Sequence, residues 1–114
     1  MVTLYGISNC DTIKKAKKWL EKNGVDFQFH DFRKDGLDKK QLTQWCNELN
    51  WEILLNKRGT TWRNLPDDVK NTVNKTKAIK MMLEQPAIIK RPVLDSGKER
   101  IIGFSDSTYK NIFK

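Results

Sequence analysis

The sequence has few of the residues that bind metals or form disulfides: two cysteines and one histidine among 114 residues. Two cysteines cannot build a four-thiolate zinc site, and a mixed site needs more histidines than His30 alone. We therefore predict no metal site. Cys10 and Cys46 allow one disulfide at most, and a cytosolic location argues against a permanent one. Thiol chemistry would rest on one cysteine and an external partner.

Long apolar runs and export signals are also lacking. No stretch approaches the roughly 20 apolar residues that span a bilayer, and residues 1–5 lack the basic and apolar regions of a signal peptide. The sequence thus predicts a cytoplasmic protein with no membrane partner. Its length suits one domain, and 38% hydrophobic residues suffice for one core. We predict a single domain over residues 1–114.

Basic residues are abundant, and the formal net charge is +8. Such a charge raises the question of a nucleic-acid partner. The lysines, however, are spread along the whole chain, without an arginine-rich arm, a zinc finger or an aromatic-basic RNA-binding motif. This distribution favours a solvated basic surface over a nucleic-acid interface. A small acidic ligand or an acidic protein partner would benefit from the same charge.

The first thirty residues predict strand, helix and strand. Residues 2–5 alternate between apolar and polar side chains, and so do residues 25–30, which places His30 away from the phenylalanine face. Between them, residues 11–23 carry an apolar helical stripe, and Gly24 is a natural helix stop. The three elements together are typical of a right-handed βαβ unit.

Helical patterns occupy residues 38–85. Asp38 is a candidate N-cap, and the apolar stripe of the helix that follows is formed by Leu42, Trp45, Cys46 and Leu49. Residues 78–83 carry a further helical pattern, which Gln85 and Pro86 end.

Strand patterns return in the last third of the chain. Residues 87–89 are apolar, and Arg91-Pro92 separates them from two strands over residues 93–102 that a hairpin turn joins. Residues 105–113 predict a closing helix with Ser105 at its cap. The predicted fold class is α/β, in the order βαβ, helices, ββα.

Cys10 lies between a predicted strand end and a predicted helix start. Backbone N–H groups and the positive end of the helix dipole stabilise anions there, which should lower the pKa of a thiol from its usual value of about 8.5. Lys14 and Lys15 add positive charge. The alternative is a small apolar side chain packed behind the helix. Cys46, on an apolar stripe, is interpreted as a core residue with a raised pKa.

Arginines supply the other candidate anion-binding groups. Arg91 carries a planar guanidinium that can hold an anion, although a surface arginine near a sheet edge is the alternative. Arg58 and Arg63 flank a polar turn with an aromatic residue, which is interpreted as a connecting loop or as a segment that approaches a ligand.

Several segments resemble the arsenate-reductase-like (ArsC) family: Leu4-Tyr5-Gly6, Asn9-Cys10-Asp11-Thr12, Lys14-Lys15-Ala16, Arg58-Gly59-Thr60 and Ile89-Lys90-Arg91-Pro92. Gly103-Phe104-Ser105-Asp106 is similar to its YffB subgroup. The resemblance covers nearly the whole chain. It implies a thioredoxin-like fold with a helical insertion at residues 38–85 and a cis peptide bond before Pro92.

The resemblance also implies roles. Cys10 matches the nucleophile, and Arg91 matches the arginine that helps to hold the oxyanion and the thiolate. Arg58 falls where the reductases place another anion-binding arginine, and Lys14 stands where they carry an arginine. Gly103, however, replaces a further active-site arginine, which argues against arsenate as the substrate. A second cysteine three residues after Cys10, as in the related Spx-type regulators, is also lacking, because that position is Ile13.

The favoured function is an oxidoreductase, a glutathione-dependent thiol reductase. Cys10 would attack an oxidised thiol substrate with the help of Arg91, and glutathione, as co-substrate, would resolve the mixed disulfide. The candidate residues for binding substrate or glutathione are Asn9, Asp11, Thr12, Lys14, Arg58 and Pro92. The alternatives are an Spx-like regulatory protein that binds RNA polymerase and a non-catalytic glutathione-binding family member.

Overall fold

A computed structural model describes residues 2–8 and 10–113. The chain divides into two compact units. The first unit combines the chain before Gly36 with the chain after Lys90, and the second is Gly36–Lys90. The predicted insertion at residues 38–85 falls within the second unit, while the single domain over 1–114 stays a prediction.

The first unit is built on a four-stranded sheet within the described residues. Its strands are β1 (Val2–Gly6), β2 (Phe27–Asp31), β3 (Val93–Asp95) and β4 (Arg100–Ile102). Their order is β2-β1-β3-β4, so the first strand of the chain lies inside the sheet. Strand β1 is parallel to β2 and antiparallel to β3, and β3 and β4 form an antiparallel hairpin.

Helix α1 (Asp11–Lys22) connects the two parallel strands, and α7 (Asp106–Ile112) closes the chain. Gly6, the last residue of β1, faces α1 so closely that a side chain there would collide with Ile13. The strand therefore approaches the helix because this position has no Cβ. Ser105 caps α7 through its hydroxyl, which accepts the backbone N–H of Thr108.

The core of the first unit joins the central strands to both helices. Its fully buried residues are Leu4, Ala16, Leu20, Leu94 and Tyr109. The edge of Phe104 meets the Tyr109 ring, with the ring centroids 4.8 Å apart. These contacts pack α1 and α7 against the central strands β1 and β3.

The second unit is helical. Its helices are α2 (Lys39–Leu49), α3 (Trp51–Leu54), α4 (Thr60–Arg63), α5 (Asp67–Asn71) and α6 (Lys75–Glu84). Asp38 caps α2 as predicted, and Asn74 caps α6. The side chains of Leu42, Trp45 and Met82 are fully buried. No described helix is both long and apolar enough to cross a membrane.

The predicted fold class is confirmed, because βαβ, helices and ββα follow one another as expected. The prediction of a strand at residues 87–89 was wrong. Pro86–Ile88 form a 3-10 turn instead, and Ile89 makes only an isolated bridge to Leu55. The fixed φ of Pro86 favours a helical start, and the N–H of Ile89 bonds back to the carbonyl of Pro86. Similarly, the predicted loop after Arg58 contains the short helix α4.

Candidate active site

Cys10 is the N-cap residue of α1. Its backbone is extended, with φ of −109° and ψ of 127°, and its carbonyl accepts the N–H of Lys14 at 3.0 Å. No hydrogen bond of cap geometry joins the Cys10 side chain to the described residues of the first turn. The N–H groups of Thr12 and Ile13 nevertheless act as the backbone donors to the thiolate. The thiol is free and partly exposed.

Arg91 provides the second group at this site. It directly precedes β3, and its side chain donates a hydrogen bond to Cys10. The Arg91-Pro92 peptide bond is cis, as the family resemblance implied. Pro92 is buried, and its carbonyl accepts the N–H of Gly103 at 2.8 Å. The segment that carries Arg91 is thereby tied to the residue that follows β4.

The pKa of Cys10 is lowered from its ordinary value. Partial burial acts in the opposite direction, because it disfavours the charged form. The hydrogen bonds from the Ile13 N–H, the Arg91 side chain and the Thr12 N–H, together with the positive charge of Arg91, outweigh that burial. Backbone dipoles and a guanidinium thus converge on one sulfur and favour its thiolate.

Cys46 has the opposite environment. It is only 3% exposed and lies in the core of the second unit. Burial raises the pKa of the Cys46 thiol, although the charge of Lys75 acts against this effect. Both the predicted core position and the predicted direction of the pKa shift are confirmed.

The structure places the other predicted residues in different surroundings. Thr12 presents its N–H to Cys10, whereas Asp11 and Lys14 are exposed on the first turn of α1. Asn9 lies outside the described residues. Of the predicted group, the first unit therefore brings Cys10, Thr12, Arg91 and Pro92 to the same end of its sheet.

Arg58 belongs to the second unit. It is exposed and lines a cavity of about 330 Å³ that Lys57 and Lys90 also line. Glu52 lines it as well, so three cationic side chains face one carboxylate, and the net positive charge suits an anionic group. A role for Arg58 at Cys10 stays a prediction.

The sequence reasoning missed Asp31. This carboxylate is only 3% exposed and accepts the backbone N–H of Ser8, two residues before Cys10. The available signal was its position: an aspartate that ends the alternating strand β2 and precedes the turn Phe32-Arg33-Lys34, where Asx turns are common.

Residues 2–8 and 10–113 contain no group of three or more His, Cys, Asp or Glu side chains that could hold a metal ion. The contacts of Cys10 define the candidate site as a cysteine with cationic and backbone hydrogen-bond donors.

Comparisons with known proteins show which family the chain belongs to. The ArsC family model matches residues 5–112. An uncharacterized protein of Haemophilus influenzae is 47% identical over 113 residues, which is 99% of each chain. The solved structure of a YffB protein superposes with a TM-score of 0.92 at 43% identity and covers 97% of both chains.

A more distant relative is the global transcriptional regulator Spx of Streptococcus agalactiae, which is 28% identical over 108 residues. The match covers 93% of this chain and 78% of the regulator. The family model spans nearly the whole chain, including both Cys10 and Arg91. This protein, with its thioredoxin-like fold, therefore belongs to the ArsC family of arsenate-reductase-like proteins.

Proposed function

We propose that this protein is a glutathione-dependent thiol reductase whose nucleophile is Cys10. The observation that carries the proposal is the lowered pKa of the Cys10 thiol, together with the Arg91 hydrogen bond and the helix N–H groups that cause it. A thiolate is the form of cysteine that attacks disulfides. Nucleophilic cysteines in enzymes are activated in such electropositive, partly exposed surroundings.

The reaction transfers two electrons from glutathione to a disulfide. The Cys10 thiolate attacks one sulfur of the substrate, which breaks the substrate S–S bond, forms a mixed disulfide at Cys10 and releases the first substrate thiol. Glutathione then attacks the Cys10 sulfur of the mixed disulfide, which releases the second substrate thiol and leaves a glutathione adduct on Cys10. A second glutathione attacks the glutathione sulfur of this adduct, which frees the Cys10 thiolate and forms oxidised glutathione. Two glutathione molecules are oxidised for each disulfide that is reduced.

Glutathione carries two carboxylates at neutral pH, so its binding requires cationic or N–H donors. In this proposal, Arg91 and the N–H groups at the start of α1 stabilise the reacting sulfur. Lys14 and Arg58 bind carboxylates, and Asn9, Asp11, Thr12 and Pro92 complete the binding surface. Arsenate is the less favoured substrate, because the resemblance places Gly103 where the reductases carry an additional arginine. A cytoplasmic location, where glutathione is abundant and thiols are reduced, fits the same proposal.

The alternative is a regulatory role in which the protein binds RNA polymerase. The observation that favours it is the similarity to the transcriptional regulator Spx. An exposed Ile53, 54% accessible, lies next to Lys57 and Arg58 in one basic cavity lining, and such a surface suits an acidic protein partner. Retention of RNA polymerase by the protein carrying Cys10→Ser, in a pull-down from lysate, would favour this role over the enzyme.

The test of the reductase is a coupled assay. Purified protein is mixed with hydroxyethyl disulfide and glutathione, and the oxidised glutathione formed is measured through glutathione reductase and the loss of NADPH. We expect turnover above the uncatalysed rate, and peptide mapping should find a glutathione adduct on Cys10. Cys10→Ser should abolish both signals, because serine at this position is not a nucleophile towards disulfides.

Cys46→Ala is the matched control, since it removes the other thiol and should leave turnover and adduct in place. A folded wild-type protein that forms no adduct at Cys10 and does not exceed the uncatalysed rate would contradict the reductase. An adduct without turnover would instead identify a glutathione-binding protein.

A further inference from the structure

Asp31 is a buried acidic residue that the proposed chemistry does not use, although it lies beside the segment that leads to Cys10. It ends β2 and pairs in register with Gly6, the last residue of β1. The N–H of the next residue, Phe32, donates to the Gly6 carbonyl at 2.9 Å. The carboxylate is thus fixed at the point where β1 passes into the connection towards α1.

Both carboxylate oxygens of Asp31 accept hydrogen bonds, and they do so from two different segments. Oδ1 accepts the N–H of Arg33 at 2.8 Å and that of Lys34 at 3.4 Å, which closes the turn after β2. Oδ2 accepts the N–H of Ser8 at 3.3 Å, in the connection between β1 and α1. A single side chain therefore joins the turn after β2 to the segment before the nucleophile.

The backbone of Asp31 is itself held by hydrogen bonds to Asp35. Its backbone N–H donates to Oδ2 of Asp35 at 2.9 Å, and its carbonyl accepts the Asp35 N–H at 2.8 Å. With 3% of its surface exposed, the side chain has little freedom to leave these partners. An ionised carboxylate can serve donors on both oxygens, whereas an amide of the same shape offers one acceptor oxygen only.

The position of Ser8 matters because the Cys10 thiolate depends on alignment. The N–H groups of Thr12 and Ile13 are fixed by α1, and Arg91 is fixed by the segment before β3. The connection from Gly6 determines where Cys10 sits relative to these donors. The side chain of Ile7, 6% exposed, anchors this connection by its burial. The hydrogen bond from the Ser8 N–H to the Asp31 carboxylate anchors it a second time. Hydrogen bonds to a thiolate weaken steeply when distance and angle change.

We propose that Asp31 is a positioning residue for Cys10: its carboxylate holds the segment before the nucleophile so that the thiolate meets the α1 N–H groups and Arg91. The inference rests on the proposed function, since it concerns the thiolate that the reductase would use. Asp31 acts through Ser8 and does not take part in the sulfur chemistry. The distinguishing property is the direction in which its removal moves the Cys10 pKa.

The test uses Asp31→Asn in the full chain that also carries Cys46→Ala. The pKa of Cys10 is taken from the rate of iodoacetamide alkylation against pH. Loss of a nearby negative charge would by itself lower the thiol pKa. Loss of the Ser8 anchor raises it, because the thiolate loses aligned donors. We expect a higher midpoint and, at a pH below both midpoints, a fall of about threefold or more in alkylation rate, which equals about half a pKa unit.

Asp26→Asn is the matched control: it removes the same charge at an exposed position just before β2, and it should leave the Cys10 midpoint unchanged. An Asp31→Asn midpoint that is equal to or lower than that of the parent overturns the positioning role. If the parent protein itself has the midpoint of a free thiol, both the reductase and the positioning role fail.

If Asp31→Asn does not fold, amide hydrogen exchange in the parent protein tests whether Asp31 holds the Ser8 N–H. Slow exchange of the Ser8 N–H, which bonds to no described backbone carbonyl and has Asp31 as its acceptor, is the result expected. Exchange at the rate of an open loop would overturn the inference.

Discussion

At the scale of single residues, Cys10 and Cys46 carry the same functional group in opposite environments. Cys10 has donors that favour its thiolate, and Cys46 has an apolar core that disfavours it. Because nucleophilicity requires the thiolate, we expect Cys10 to be the more reactive of the two. Position in the fold therefore determines the chemistry of the two thiols.

This contrast predicts selective modification. A brief treatment of the native protein with iodoacetamide near neutral pH should alkylate Cys10 and spare Cys46, because Cys46 is both buried and protonated. Tryptic mapping by mass spectrometry measures the two sites in one sample. In guanidinium chloride both cysteines should react at similar rates. Equal labelling in the native state would contradict the assigned environments.

Arg91 is expected to lower the Cys10 pKa through a charge-assisted hydrogen bond. Arg91→Met keeps the length of the side chain but removes the donor and the charge, so the midpoint of Cys10 alkylation against pH should rise by about one unit. The effect stays moderate because the partly exposed thiol is screened by water. Arg33→Met, which removes an exposed arginine of the same unit, should leave the midpoint unchanged. Identical midpoints in both variants would argue against the Arg91 contact.

Asp31 predicts a particular dependence of stability on pH. Backbone N–H donors hold the pKa of Asp31 below its ordinary value, although burial acts to raise it. A carboxyl whose pKa is lower in the folded state stabilises that state above its unfolded pKa of about 3.9, and the contribution is lost as pH falls through the folded pKa. Urea titrations give the free energy of unfolding of the wild type and of Asp31→Asn. The difference between the two values should be largest at neutral pH and should shrink below about pH 4. A difference that is constant with pH would contradict the ionised role.

At the scale of elements, the contact between β1 and α1 depends on a glycine. Gly6→Ala introduces a methyl group that meets the Cδ1 end of Ile13, and overpacking of this kind typically costs about 1–3 kcal/mol of stability. Ile13→Val removes the colliding atom. The double variant should therefore be more stable than the sum of the two single changes predicts, as measured by urea unfolding. If the stability changes of the two single variants simply add in the double variant, the side chains at positions 6 and 13 do not interact.

Periodicity predicted the elements of the first unit because their patterns are local. The apolar stripe of α1, the alternation in β2 and the Ser105 cap of α7 each follow from neighbours within a few residues. The turn at Pro86–Ile88 was missed because an apolar triplet fits a buried strand equally well. The conformation of this triplet is determined by Pro86, which precedes it and starts the turn.

The candidate site was only partly predictable for a related reason. Cys10 at a helix start is a local feature, so its lowered pKa could be predicted. The Arg91 contact joins residues far apart in the chain, and only the family resemblance indicated it. Neither the local pattern nor the family resemblance predicted the role of Asp31, because its hydrogen bond to Ser8 depends on the parallel register of β1 and β2.

At the scale of the whole molecule, the net charge of +8 predicts salt-dependent encounter with anionic substrates. The rate at which Cys10 reacts with oxidised glutathione, which is anionic, should fall as sodium chloride is raised, because screening shortens the range of the attraction. The neutral hydroxyethyl disulfide is the control and should react at nearly the same rate throughout. Parallel salt dependence for both disulfides would exclude electrostatic steering.

The discontinuity of the first unit has a consequence for synthesis on the ribosome. Strand β1 is translated before Gly36–Lys90, whereas its antiparallel neighbour β3 is translated only after the whole of that segment. At elongation rates of about 5–20 residues per second, the nascent strand waits roughly 3 to 10 s with one edge uncovered. The helical unit, continuous in the chain, is complete before the last strands arrive. The order of translation therefore favours completion of the cysteine site only after the helical unit has been made.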